Sequence, residues 1–221
     1  MALKSIQPAR RRLADEVYDE LIDAIMRREI GPEDRLVQEK LAAEMQISRT
    51  PVREALMRLE QEGVLEVSNR GSFRLYQLDD DEVKELYQAR AAVEGQSARI
   101  LAVRQNPEDF AALRDIIRRQ EQLKDQTARG YFEANRAIHR AFMERADNRF
   151  LLDMFDMIWG KAMVFPLFAT IENVDLAKSL GDHMPLVDVL ERGDRTEALE
   201  VFTQHIQDGF ELQMEGLRAG S

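Results

Sequence analysis

The chain has 221 residues, 44% hydrophobic and 33% charged, with 6 Pro and 11 Gly, a composition of an ordinary globular protein rich in helix formers, long enough for one large domain or two small ones. It has no Cys, which excludes disulfides, thiolate metal sites and a cysteine nucleophile. The net charge of −10 divides unevenly: through Leu78, 13 Lys and Arg stand against 14 Asp and Glu, a net of −1, and the remainder carries −9.

A nearly neutral first part can still bind nucleic acid when its basic residues cluster on one face, because phosphate contact follows local rather than total charge. The N-terminus carries Lys4, Arg10, Arg11 and Arg12 but no apolar core follows them, so it does not read as a secretory signal. Apolar residues at Leu13, Val17, Leu21, Ile22, Ile25 and Met26 predict a first amphipathic helix over Leu13–Ile30, ending at Gly31-Pro32. A second helix fits Gln38–Met45, with Leu41, Ala42 and Met45 on its apolar face, and a short turn at Gln46-Ile47 follows. The third runs from about Ser48 to Gly63, with Ser48 or Thr50 as a cap and Pro51 in the first turn, where a missing N–H costs nothing.

Val52, Ala55, Leu56 and Leu59 form the buried stripe of that third helix, which leaves Arg49, Thr50 and Arg53 projecting from its exposed N-terminal end, where a recognition helix meets base edges and phosphates. Val64–Val67 and Ser72–Leu75 read as two short strands joined by a tight turn at Ser68-Asn69-Arg70-Gly71. This hairpin is a wing, with Arg70 at its tip. The run SRTPVREAL from Ser48 to Leu56, with Arg35-Leu36, Leu41-Ala42, Leu59, Glu62-Gly63 and Gly71, resembles the N-terminal signature of the GntR family of transcription regulators. The resemblance implies that Arg35, Arg49, Arg53, Thr50 and the wing around Gly71 touch operator DNA. An Arg reading guanine O6 and N7 contributes about 1–3 kcal/mol of discrimination, and one on a phosphate adds affinity without sequence information; Arg49 or Arg53 suits guanine and Arg35 suits phosphate. Val37 stands where the family often has Ser, and Gln46 where it often has Gly.

Beyond Asp79 the periodicity is helical, and six helices are expected, at roughly Asp80–Val103, Pro107–Ala128, Tyr131–Arg145, Arg149–Phe165, Val174–Arg192 and Arg195–Arg218, enough for an antiparallel bundle. The longest strongly apolar stretch, Ala162–Ile171, is about half a membrane span and contains Pro166, so no membrane helix is expected and the cytoplasm is the expected location. The three histidines of the chain, His139, His183 and His205, all fall here, each read as mid-helix within an apolar stripe. A single such His is more often a core residue satisfied by a carbonyl, but three invite a shared site. Asn135 lies one helical turn before His139 and can offer an oxygen to the same centre. Three imidazoles and an oxygen suit Zn, Ni, Mn or Fe, and three His with open positions also describe a catalytic zinc.

Asn135-x-x-x-His139, His183 and Gly193-Asp194 … Ala198 … His205 resemble the metal-containing FCD sensor domain of the FadR-type branch of GntR regulators. In that domain the position of Asn135 is commonly Asp, and the three histidines bind a divalent metal beside which a small organic acid, often a carboxylate, completes the coordination. Arg90 and Glu94 also match charged positions of the family, Arg90 being a candidate for the effector carboxylate or a structural ion pair with Glu94.

The resulting expectation is a mainly α protein: a winged helix-turn-helix over residues 1–78 and an all-helical effector-binding and dimerisation domain over 79–221. As a homodimer it binds a palindromic operator in double-stranded DNA, as a repressor of a metabolic operon, under control of an organic acid held near a divalent metal, Zn foremost. Two rival readings are a metalloenzyme using the three-histidine site and a metal-free organic-acid sensor on the same fold. The first lacks a recognisable hydrolase pattern such as HExxH, and Asp182 and Asp208 read equally well as solvated or capping residues.

Overall fold

The computed structural model describes residues 9–68, 71–122, 127–160 and 182–219. These fall into two units that part between Gln77 and Leu78. In the first, α1 (Ala9–Met26), α2 (Gln38–Glu44) and α3 (Arg49–Gln61) precede a two-stranded antiparallel sheet, β1 (Leu65–Val67) and β2 (Phe73–Leu75). Val17, Leu21, Ile22 and Ile25 of α1 are buried, as are Val52, Ala55, Leu56 and Leu59 of α3, and the two helices pack on each other. Each of these Val, Leu and Ile side chains contributes roughly 1.5–3 kcal/mol on leaving water.

The first helix stops earlier than Ile30, because Arg28 turns left-handed at φ 59° and the N–H of Glu29 reaches back to the Ala24 carbonyl. Ser48 occupies the N-cap of α3 with extended backbone but its side chain makes no capping bond. The start of α3 is instead tied to α2, where Gln38 Nε2 donates to the Arg49 carbonyl at 3.1 Å. The strands pair Leu65 with Leu75 and Val67 with Phe73, and Leu36 exchanges both backbone bonds with Phe73, which joins the segment before α2 to the wing.

The second unit holds α4 (Asp80–Arg104), α5 (Pro107–Glu121), α6 (Ala128–Arg145), α7 (Arg149–Gly160), α8 (Met184–Glu191) and α9 (Arg195–Ala219). A capping box starts α4, with Asp79 accepting from the Glu82 N–H and Glu82 from the Asp79 N–H. Helix α4 makes its most extensive contact with α9. Gly95 sits in that contact, where a Cβ would lie 2.6 Å from Leu199 Cδ1, so any larger residue requires the end of that half-buried leucine side chain to move.

Three boundaries differ from the sequence expectation. Helix α5 ends at Glu121 rather than Ala128, and α6 begins at Ala128 because Thr127 caps it by accepting from the Gly130 N–H; Gly130 therefore lies in the first turn instead of breaking the chain. Helix α8 begins at Met184, so His183 is its N-cap and not a mid-helix residue. Pro185 explains this: in a helix interior it would lack a donor and clash with the preceding turn, whereas at a helix start neither matters. The parts of the expected fourth and fifth helices over 161–181 lie outside the described residues. Among the described residues, no helix is long and apolar enough to cross a membrane.

Candidate DNA-reading surface and metal-binding cavity

In the first unit, Arg49, Thr50 and Arg53 stand on the first two turns of α3. The Arg49 side chain is 68% exposed and pairs at 3.4 Å with Glu39, itself 63% exposed, a contact that solvent screens and DNA phosphate readily displaces. Arg35 and Arg53 are exposed and form no ion pair among the described residues. Arg35 neighbours Leu36, whose backbone bonds to the wing, and the Gln38 link to α3 lies two residues further on. The sequence-predicted set Arg35, Arg49, Thr50 and Arg53 is thus carried on segments bonded to one another. Gly71 has φ 76° and its N–H closes the hairpin turn on the Ser68 carbonyl at 2.9 Å; Arg70 lies outside the described residues.

Behind this surface Tyr18 donates to the Glu62 carboxylate, and the Arg58 guanidinium lies 3.9 Å over the Tyr18 ring. Burial, then the adjoining carboxylate, push the Tyr18 hydroxyl well above its ordinary range, so it stays protonated and clamps α1 to the end of α3. Gln46, between α2 and α3, takes φ 54°, the left-handed turn for which Gly is suited.

In the second unit, His139 of α6, His183 before α8 and His205 of α9 converge, with one potential ligand atom from each lying within 4.8 Å of the others. His139 Nε2 is 3.0 Å from His183 Nε2 and 3.4 Å from His205 Nε2. With metal–nitrogen bonds of about 2.0–2.1 Å, neighbouring ligands of a tetrahedral ion stand about 3.3–3.4 Å apart and those at right angles about 2.9 Å. The two separations from His139 are those of neighbouring ligands on one divalent ion. Burial above all, with the nearby Arg90 charge, pushes the His205 imidazole down to about 3, which keeps it neutral and able to ligate.

A buried network fixes the first of these rings. His139 Nδ1 faces the Glu94 carboxylate, which also accepts from Arg90 Nε at 3.0 Å and from Trp159 Nε1 at 3.3 Å. A carboxylate on Nδ1 places the proton there and leaves Nε2 with a free lone pair, the arrangement that orients metal-ligating histidines. Burial alone would raise the Glu94 pKa, but His139, Arg90 and their hydrogen bonds outweigh it and hold the carboxyl below the usual carboxylate range. The Arg90 guanidinium is set 4.3 Å from the Trp159 ring centre and 4.8 Å from that of Tyr87.

A cavity of about 480 Å3 opens on the histidines, and Arg90 and Asn135 both line it. The four residues read as metal site and the one read as effector site are therefore brought together; Asn135 is buried one turn before His139. Both alternatives open for Arg90 are realised at once, since it is ion-paired with Glu94 and faces the cavity. Sequence reasoning did not foresee Glu94 as the partner of His139, nor Trp159 as its neighbour. The signal was slight: Glu94 stands one helical turn from Arg90, and Trp159 is the sole Trp of the chain.

A winged helix-turn-helix with exposed arginines on its third helix, in a chain with a helical domain that encloses a cavity, defines a DNA-binding regulator of transcription. Comparison with known proteins gives the family. Residues 13–75 match the model of bacterial regulatory proteins, gntR family, and residues 85–208 match the FCD domain. An HTH-type transcriptional regulator in an unstable DNA locus of Streptomyces ambofaciens is 30% identical over 207 residues, covering 93% of this chain and 86% of that protein. The Uxu operon transcriptional regulator of Escherichia coli is 29% identical, covering 93% and 88%. Among solved structures, E. coli McbR/YncC shares the fold with a TM-score of 0.69 at 21% identity, over 92% of this chain and 97% of that one. A putative GntR regulator from Rhodococcus sp. RHA1 does so with a TM-score of 0.65 at 20% identity, over 91% and 97%. The chain belongs to the GntR family of transcription regulators, in the branch with a C-terminal FCD domain. Its relatives are regulators rather than enzymes.

Proposed function

We propose that the protein is a cytoplasmic homodimer that represses a metabolic operon, with residues 1–78 reading a palindromic operator and residues 79–221 providing dimerisation and effector control. Arg49 or Arg53 reads guanine, Arg35 and the wing residues Arg70 and Gly71 hold the backbone, and Thr50 supports them. His139, His183 and His205, with the Asn135 amide oxygen as a fourth ligand, hold a divalent metal, Zn foremost among Zn, Ni, Mn and Fe. A small organic acid completes the coordination through its carboxylate, and Arg90 neutralises it.

The observation that carries this reading is the convergence of all three histidines on one cavity beside a buried arginine. When bound, the metal supplies a Lewis-acidic point for an anionic oxygen. The chain's own residues do the rest: Glu94 holds the His139 ring in its ligating tautomer, burial keeps His205 neutral, and Arg90, stacked against Trp159, stays fixed toward the cavity.

Elemental analysis of protein purified without added metal tests the site, and the expected result is about one equivalent of a divalent ion, lost in His139→Ala. A metal-free protein that still responds to its effector would contradict it. Binding to DNA from upstream of its own gene tests the other half: Arg49→Ala and Arg53→Ala each abolish specific binding, and unchanged binding by both would remove the role given to α3.

A further inference from the structure

Among the described residues of the first unit, Met57 at 40% and Val67 at 53% are the exposed large hydrophobic side chains. A lone apolar residue on a surface is ordinary, but Met57 stands within α3. Residues three and four apart share a helix face, which puts Thr50, Arg53 and Met57 in one row, turned away from the buried Val52, Ala55, Leu56 and Leu59. Helical side chains lean toward the N-terminus, so the Met57 thioether lies over the turn that carries Arg53. A separation of four residues at about 1.5 Å each is about 6 Å along the axis, the span of about two base pairs at about 3.4 Å each. Around Met57 the helix has little to offer a phosphate. Glu54 and Glu60, both exposed, stand three residues to either side, and Arg58 is engaged by Asp15 at 3.2 Å and Glu62 at 2.9 Å. Carboxylates repel the DNA backbone but suit the floor of the major groove, where the amino groups of cytosine and adenine donate.

We propose that Met57 is a specificity-determining residue: its side chain packs on the C5-methyl group of a thymine in the major groove, within about two base pairs of the pair that Arg53 meets. This rests on the reading above, in which α3 enters that groove. Of the four bases, thymine alone presents a methyl group there. A thioether has no hydrogen-bond donor and is only a weak acceptor, so the donors and acceptors of another base edge placed against it would lose water without gaining a partner. A thymine methyl group loses only apolar exposure. The unbranched, adaptable methionine side chain fits itself to that group without fixing how the helix approaches. Met57 therefore sets a base preference, while the arginines supply the affinity that depends on salt.

The test uses the full-length protein and a duplex that it selects from a randomised DNA pool. Each thymine is replaced in turn by deoxyuridine, which removes the methyl group and nothing else, and binding is read by fluorescence anisotropy. In each half-site one such replacement is expected to weaken binding about fourfold, the effect of one methyl group losing a buried contact. Met57→Gln, an exchange of similar length on an exposed side chain, binds the thymine and deoxyuridine duplexes equally at that position. It keeps the salt dependence of the wild-type protein, since no phosphate contact is lost. A wild-type protein indifferent to deoxyuridine at every position would overturn the inference, as would a penalty that persists unchanged in Met57→Gln. The arginine variants on the same duplex separate this from the reading beneath it. Specific binding lost in Arg53→Ala, with no deoxyuridine effect in the wild-type protein, overturns the assignment of Met57 alone; undiminished specific binding by both Arg49→Ala and Arg53→Ala overturns both.

Discussion

Glu94 gives the account its sharpest quantitative test, because two substitutions at one position separate its two jobs. It is 2% exposed, faces His139 Nδ1 and is ion-paired with Arg90 at 3.0 Å. Glu94→Gln keeps the shape and an oxygen for hydrogen bonding but removes the charge. The His139 tautomer is then held less firmly, and metal affinity falls by about 10–100-fold, the usual cost of losing such an outer partner. Glu94→Ala also strands the Arg90 guanidinium, 5% exposed, without its counter-charge, which costs about 3–5 kcal/mol of stability and lowers the melting temperature by roughly 6–20 °C for a domain of this size. Competition against a chromophoric chelator reads the first effect, and thermal denaturation of chelated protein reads the second. Metal affinity of Glu94→Gln within about twofold of wild type would refute the orienting role, and a Glu94→Ala protein as stable as wild type would refute the ion-pair argument.

Three further outcomes follow from other parts of the molecule. Gln46→Gly relieves a left-handed residue at φ 54° and is expected to stabilise the first unit by about 1 kcal/mol in denaturant titration, without altering DNA affinity. Metal-free protein loses stability on acidification: the His205 pKa is lowered to about 3, so the unfolded chain binds the extra proton first, and stability falls from an unfolded value of about 6.5 down toward 3. Glu94, also depressed, adds in the same direction below its ordinary range; a melting temperature flat between these limits would contradict both. Gly95→Ala brings a Cβ to 2.6 Å from Leu199 Cδ1, the movable end of a half-buried side chain, so the expected cost is at most about 1 kcal/mol, and a urea midpoint lowered by much more would contradict this.

The winged unit was largely legible in the sequence, since its helices are short, punctuated and periodic: Pro51 and Gly63 bracket α3, and its stripe Val52, Ala55, Leu56 and Leu59 is buried as read. The end of α1 was not, because the stop depends on Arg28 adopting a left-handed turn that its side chain does not advertise. In the helical unit the histidines and Asn135 were found by type and spacing, but not the way they are held. The link between Glu94 and His139 spans 45 positions, and only the packing of α4 against α6 creates it. His183 shows the opposite case: Pro185 was visible, and its preference for a helix start outweighs the apolar run around it.

The most direct test of the account as a whole is fluorescence anisotropy of labelled DNA from upstream of the gene, titrated with Zn-loaded protein with and without a small organic acid that calorimetry shows to bind. We expect the acid to shift the DNA dissociation constant within the usual range of coupled sites, about 5–150-fold. That shift should disappear in His139→Ala while DNA binding in the absence of acid is retained. An equal shift in His139→Ala, or none in the wild-type protein with any acid that calorimetry shows to bind, would contradict control of the DNA-binding unit by this site.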